Sequence, residues 1–449
     1  MSQANQILEA LSAIIDPDLN QDIVSLGFVQ NLLISDEGNV SFTLELTTPA
    51  CPVKDLFVKE ATDRVKALGW PQDVRVSLSA QKRNVLRQQG KGLEGVQRII
   101  AVHSCKGGVG KSTVAVNLAY SLAALGASVG LFDADVYGPS LPTMVKLDSM
   151  ELFMKGGLIA PLLKQGVKLM SFGYTQATSG ETGPAILRGP IVSQIINQLL
   201  TGTAWGDLDY LVLDMPPGTG DIAITVSQLV PITAAVVVTT PQELSFVDVI
   251  KGIQMFDSLK IPVVTVVENM SYFECGNCQE KHRIYGQGAA KKLVNEFGFE
   301  HVIELPIDPK VASAGDNGLP LVKQTESSSS HRAFEHLAET VVREVSRLDA
   351  LGAIHPTISF DEGLGLVALY SSGQTLAIPA VEARYLCRCA HCQDEFTGQQ
   401  KLDKVAIDPD IRVTALQPIG NYAVGLTWSD GHSSIFPYAF FKAFHETLI

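Results

Sequence analysis

Ten residues, SCKGGVGKST at positions 104–113, limit what this chain can become more than any other part of its 449 residues. An apolar run, RIIAVHS, leads into them, and a helical pattern, STVAVNLAYSLAALG, leads out and stops at Gly126. Glycines at 107, 108 and 110 let backbone N–H groups turn inward, and a helix starting directly after them adds its positive end. Together these hold a phosphate chain. Gly107, Gly108, Val109, Gly110, Lys111, Ser112 and Thr113 are therefore the candidate ATP-binding residues. Lys111 would serve the β- and γ-phosphates, Ser112 the Mg2+ ion and Thr113 the α-phosphate. One residue is surplus: Lys106 precedes the glycines, where its own phosphates do not need it.

The rest of 98–347 fits a strand-loop-helix unit of this kind. SVGLFDAD, LDYLVLDMP, AAVVVTTP, VVTVVENM and VIELP are apolar, β-branched runs separated by helix-length segments. They predict an α/β domain with a central doubly wound, mostly parallel sheet. Residues 1–85 predict a small α+β domain: a helical pattern through Ile7, Leu8, Leu11, Ile14 and Ile15, alternation in NVSFTLELTT, and a second helix near 54–68. Residues 86–97 read as a linker and 348–356 as another. The Ser-rich stretch at 326–330 reads as a loop capping a last helix at about 331–347. From 357 to 449, Ser-Gly and Asp-Gly turns between alternating runs predict hairpins and a small β-rich domain.

A net charge of −13 argues against nucleic acid or an anionic membrane as a partner, since both need basic surface. The most apolar run, LVPITAAVVVTT, is too short to span a bilayer. The first residues show no signal or transit pattern, so the expectation is a bacterial cytoplasmic protein, with a mature plastid stromal form as the alternative.

Seven cysteines, five of them in two tight groups, favour metal or thiol chemistry over structural disulfides. Cys275 and Cys278 form C-x-x-C and supply two thiolates, whereas a tetrahedral sulphur site needs four. A two-fold homodimer would supply the missing pair and hold one cluster between subunits. A structural zinc pair and a redox disulfide are the alternatives. Cys387, Cys389 and Cys392 form C-x-C-x-x-C, three thiolates that call for a fourth ligand. Structural zinc is the first reading there and a second Fe–S site the other. Cys51 precedes a helix, where a thiolate is favoured, so it is a candidate reactive thiol.

The loop with its extra lysine resembles the deviant Walker A class, KGGxGK[ST]. That resemblance implies an ATP-dependent homodimer in which Lys106 crosses to the partner's nucleotide. It also implies that Asp135 orients the attacking water, that Asp214 is an outer partner of Mg2+, and that Pro216–Gly220 senses the γ-phosphate. Asp133 is read as structural. SCKGGVGKST, DADVYGPS, DMPPGTGD and NMSYFECGNC together resemble the Mrp family of Fe–S carrier ATPases over about 98–347. The family implies a labile [4Fe–4S] cluster received from an upstream scaffold and delivered to apo-proteins, with Asn269 near the adenine. Cys105, where many members carry glycine, is read as a small residue packed beside the loop.

Residues IIDPDLNQDIVSLGFV and LELTTPACPVKDLF resemble the small domain of SufT-like Fe–S assembly proteins. YLCRCAHCQDEFTG and LTWSDGHSSIFPY resemble the N-terminal zinc-binding domain of γ-butyrobetaine hydroxylase. That likeness implies His432 as the fourth ligand, in preference to His391. The order of the three domains is that of the chloroplast high-chlorophyll-fluorescence type of Mrp protein. A ParA- or MinD-like positioning ATPase and an electron donor like nitrogenase reductase are the competing functions.

Overall fold

The structure, a computed structural model, describes residues 2–19, 21–81, 90–179, 189–286, 294, 299, 301–324, 328–351, 356–370, 373–389, 391–393, 399–419, 423–438 and 440–441. Parts of both expected linkers, of the Ser-rich stretch and of the segment after Gly286 lie outside these residues.

In the first block, β1 (Val29–Ile34), β2 (Asn39–Leu46) and β3 (Asp73–Ala80) form a three-stranded sheet with β2 in the middle. The alternation along β2 turns Val40, Phe42, Leu44 and Leu46 to one buried face. Helices α1 (Gln3–Leu11) and α2 (Lys54–Lys66) pack on that face through Ile7, Leu11, Phe57, Ala61 and Val65. The first helix is shorter than its apolar pattern predicts. It ends at Leu11, and Ile15–Asp16 instead pairs with Gln21–Asp22. The carboxylate of Asp16 accepts the backbone N–H groups of Asp18 and Leu19, a local turn that competes with helix.

The middle block is one large sheet. Its strands are β4 (Val96–His103), β5 (Val129–Asp133), β6 (Leu162–Lys164), β7 (Val167–Ser171), β8 (Leu208–Asp214), β9 (Ala234–Thr239), β10 (Val263–Glu274), β11 (Lys281–His282) and β12 (Val302–Ile307). They lie in the order β6-β7-β5-β8-β4-β9-β10-β11, with β12 also on β10. Only the β6–β7 and β10–β11 pairs are antiparallel.

Both faces are covered, which is why the strands are apolar at successive positions. Ile100 and Val102 point to the core shared with α3 (Lys111–Ala124), α7 (Pro309–Asn317) and α8 (Ser329–Leu351). Ile99 and Ala101 point to the core shared with α4 (Gly189–Gly202), α5 (Asp221–Leu229) and α6 (Glu243–Ser258). This is the doubly wound α/β architecture that the sequence predicts. Strand β7 is absent from that sequence reading although it is buried in the sheet, and the last helix is longer at both ends.

The third block holds two antiparallel meanders, β13 (Thr357–Asp361), β14 (Gly365–Leu369) and β15 (Thr375–Ile378), then β16 (Val413–Ile419), β17 (Ala423–Trp428) and β18 (Ser433–Pro437). Helix α9 (Ala380–Tyr385) joins them over a core that includes Ile378, Trp428 and Phe436. Gly373 and Gly431 take φ of 82° and 80° in the two expected hairpin turns. Ala423, with Ile419 and Ile435 beside it, belongs to the α6 side of the middle block's core, so the third block leans on that face.

Candidate functional site

The ends of β4, β5 and β8 meet at the glycine loop. Gly108 and Gly110 have φ of 80° and 87°, values that L side chains rarely adopt. Gly110 is also the N-cap of α3, and a Cβ there would overlap the Asn269 amide. No side chain caps the helix, so its first N–H groups remain for an anion. Buried Lys111 pairs with buried Asp214, and its Nζ lies 3.3 Å from Ser112 Oγ. Burial raises the Asp214 pKa, while the Lys111 ammonium and the Ser112 hydroxyl oppose that shift. Lysine, hydroxyl and carboxylate thus converge beside the loop, as phosphate and Mg2+ require.

Asp133 lies directly across from Asp214 on the neighbouring strand. Its carboxylate accepts from Asp135 N, Ser140 N, Leu141 N and Ser171 Oγ at 3.1–3.2 Å. Burial, with the Asp214 charge second, pushes its pKa up to about 7. Four donors make Asp133 the residue that fixes the loop following β5, in which Asp135 accepts Gly138 N at 3.2 Å. The Pro216–Gly220 loop is tied back to the glycine loop, since Gly218 N donates to Ser104 O at 2.8 Å.

Lys106 Nζ lies 2.9 Å from Asp248 Oδ2 on α6. Asp248 was not in the sequence reading; only its i,i+3 spacing to Lys251 marked a charged helix face. Cys105 packs its sulphur against Gly252, where a Cβ would collide with it, and burial pushes its thiol up to about 11. It packs beside the loop. Asn269 donates from Nδ2 to Val109 O at 2.8 Å, so it braces the loop from β10.

Cys275 follows directly on the end of the same strand, six residues beyond Asn269. Strand β10 turns back as β11 through a short hairpin, with Gln279 N on Cys275 O at 2.8 Å and Cys275 N on Glu280 O at 3.0 Å. The backbone N–H groups of Cys278 and Asn277 point at the Cys275 sulphur and lower its pKa. Cys278 is exposed. The return strand is pinned by Arg283, which makes a two-pronged bond to Glu304 at 2.8 and 2.9 Å and donates to Ser271 Oγ at 3.0 Å. No helix follows the C-x-x-C directly, unlike a thioredoxin-type site.

In the third block Cys387, Cys389, Cys392 and His432 bring their ligand atoms within 4.8 Å of one another. His432 Nε2 lies 3.4, 3.5 and 3.6 Å from the three sulphurs. A tetrahedral zinc with Zn–S near 2.3 Å and Zn–N near 2.0–2.1 Å needs S···N separations of about 3.5 Å. His391 is exposed and outside this group. Arg384, buried beside the group, donates to Cys392 Sγ at 3.3 Å and pairs with Asp430 at 2.9 Å; Asp430 in turn accepts His432 N. This cation offsets thiolate charge, and nothing in the sequence pattern singled it out.

Cys51, the candidate reactive thiol, stands two residues before Val53, the N-cap of α2. Burial, with Asp16 and Asp18 adding negative charge, pushes its thiol up to about 11 despite one favourable contact from Val53 N–H. Its environment disfavours a thiolate. The surrounding T-x-x-C-P stretch docks the first block on the second: Tyr210 OH donates to Thr48 Oγ1 at 3.1 Å, and Ala50 enters the α3 core.

Comparison with known proteins adds family matches along the chain. A family described as NUBPL iron-transfer P-loop NTPase matches residues 95–342. An iron-sulfur cluster assembly protein family matches 4–78, and the gamma-butyrobetaine hydroxylase-like N-terminal family matches 362–442. The chain is 48% identical over 439 residues to the chloroplastic Fe-S cluster assembly factor HCF101 of Arabidopsis thaliana, covering 96% of this chain and 81% of that protein. It is 38% identical over 354 residues to the iron-sulfur cluster carrier protein of Synechocystis sp., covering 77% of this chain and 99% of that one. A solved nucleotide-binding protein from Archaeoglobus fulgidus, in complex with ADP, is 36% identical with a TM-score of 0.46, covering 54% of this chain and 97% of that one.

Proposed function

This chain belongs to the iron-transfer P-loop NTPase family, and from that membership we propose that it is an ATP-dependent carrier of iron–sulphur clusters. One [4Fe–4S] cluster is its cargo, taken from an upstream scaffold, held by Cys275 and Cys278 of two copies of the chain, and passed to apo-proteins. The observation that carries this reading is the course of β10. The strand braces the glycine loop at Asn269 and delivers Cys275 at its far end. Between the two the backbone is bulged, with Met270 at φ 58° and the pairing to β12 shifted between Glu268 and Tyr272, so a change at the nucleotide would reach the cysteines through this bulge.

Bound Mg·ATP would lie on residues 107–113, with Lys111 moving from Asp214 to the phosphates and Ser112 on the ion. The ion would supply charge neutralisation on the transferring phosphoryl group. Asp135 is the group that orients water, and Asp214 stands behind the ion. Asn269 sits by the adenine. Lys106 must leave Asp248 before it can reach a partner's nucleotide, so dimer formation breaks the 2.9 Å contact. Hydrolysis then alters the interface and loosens four thiolates at once. Zinc at Cys387, Cys389, Cys392 and His432 is structural in this scheme. No helix among the described residues is long and apolar enough to cross a membrane. Bacterial cytoplasm and plastid stroma both fit the two named relatives.

The test is anaerobic reconstitution of the wild type and the Cys275→Ala/Cys278→Ala double variant with iron and sulphide, followed by Mössbauer spectra and metal counts. Four irons per dimer, lost in the variant while zinc and nucleotide binding stay, is the expected result. A normal cluster in the variant would end the proposal.

A further inference from the structure

The hairpin that carries the C-x-x-C holds more donors than its two thiols. Successive residues of a strand point to opposite faces. Lys281 takes one face, with its Nζ 4.3 Å from the centre of the Tyr272 ring. Glu280 and His282 therefore share the other. Across the turn Cys278 meets them: its sulphur, a Glu280 carboxylate oxygen and a His282 ring nitrogen all lie within 4.8 Å of one another. The backbone sets this arrangement. His282 is paired with Phe273 and Lys281 with Glu274, Cys275 N holds Glu280 O at 3.0 Å, and Gln279 turns at φ 60°. The two-pronged Arg283–Glu304 contact then anchors the residue after His282.

We infer that Cys278, Glu280 and His282 form a second, single-chain metal site for one divalent ion of the Zn2+ or Fe2+ class. The inference rests on the carrier reading only in that Cys278 is common to both. One thiolate, one carboxylate and one neutral imidazole balance a divalent charge, and Cys278 releases its proton to solvent on binding. Sulphur and imidazole select borderline metals over Mg2+ or Ca2+, whose preference is for oxygen. A bridging cluster needs thiolates from two chains; this site needs one chain. Because both use Cys278, a single ion held here excludes the shared cluster from the same hairpin.

Anaerobic titration of the full-length chain with Co2+ tests this, reading the thiolate charge-transfer band and the visible d–d envelope. Wild type is expected to take one equivalent at the third block and a second at the hairpin. His282→Ala and Glu280→Gln should each weaken the second step about tenfold or more, because even an outer partner of a ligand is worth that much. An unchanged second step in both variants, in affinity and in envelope, overturns the site. One equivalent of Zn2+ added at the hairpin beforehand should slow cluster loading in the wild type and not in His282→Ala; equal slowing in both also overturns it. If the wild type loads no cluster at all, the carrier reading fails, and the Co2+ titration still decides this site by itself.

Discussion

Asp133 and Asp214 face each other across adjacent strands with one lysine, Lys111, between the pair and the glycine loop. The consequence is a pH dependence with a defined sign. Unfolded, Asp133 titrates near 3.9; folded, burial and Asp214 hold its pKa near 7. The folded chain keeps a proton that the unfolded chain has lost, so this residue's contribution to stability falls as pH rises from about 4 through about 7. The slope is at most about 1.4 kcal/mol per pH unit. Urea midpoints of nucleotide-free wild type and Asp133→Asn between about pH 5.5 and 7.5 should show the wild type losing ground as pH rises. A constant difference would refute it. The sequence marked both carboxylates as strand-end groups, because a polar residue closing an apolar run is visible in one dimension. The pairing across strands was not visible, since strand order is a property of the sheet.

Among the elements, the loop after α9 and the β17–β18 hairpin depend on each other through the four ligand atoms. Cys387 shows what a cation at this site would supply. Its thiol is pushed up to about 12 by burial, so with no cation bound this sulphur stays protonated and makes only weak bonds. Removing zinc should therefore loosen the third block. A loss of ~2 kcal/mol lowers the melting temperature of a unit this size by roughly 8–16 °C. Calorimetry before and after treatment with a strong chelator should show that shift, reversed by Zn2+ and not by Mg2+. An unchanged transition in protein shown to have lost its metal would contradict the structural role. The C-x-C-x-x-C spacing announced three ligands. His432 followed from a family likeness, and the hairpin that brings it to 3.4–3.6 Å from the sulphurs follows from the Asp-Gly turn.

For the whole molecule, one buried arginine fastens the first block to the second. Arg98 reaches Asp349 on α8 at 2.8 Å and Thr47 O at 2.9 Å, over the Tyr210 ring. Arg98→Ala removes the counter-charge from Asp349, a change that costs about 3–5 kcal/mol for a buried pair. Native-state hydrogen exchange should show amides near 47–51 opening more readily by about that energy, while the core of β4 keeps its protection. No change near Thr47 would mean that the Tyr210–Thr48 contact and the packing of Ala50 hold the two blocks together without the arginine. The sequence analysis gives Arg98, at the head of the apolar run RIIAVHS, no role, because its partners lie 51 and 251 positions away. The sequence by itself determined the parts whose physics is local: a glycine loop between strand and helix, apolar runs for a two-faced sheet, alternating hairpins and close-set thiols. Only the tertiary structure decided which distant groups meet. It set Lys106 on Asp248, drew Cys51 into an apolar setting, and put Arg98 on Asp349 and Thr47. Those outcomes depend on strand order, burial and through-space charge, and none of the three is a function of spacing along the chain.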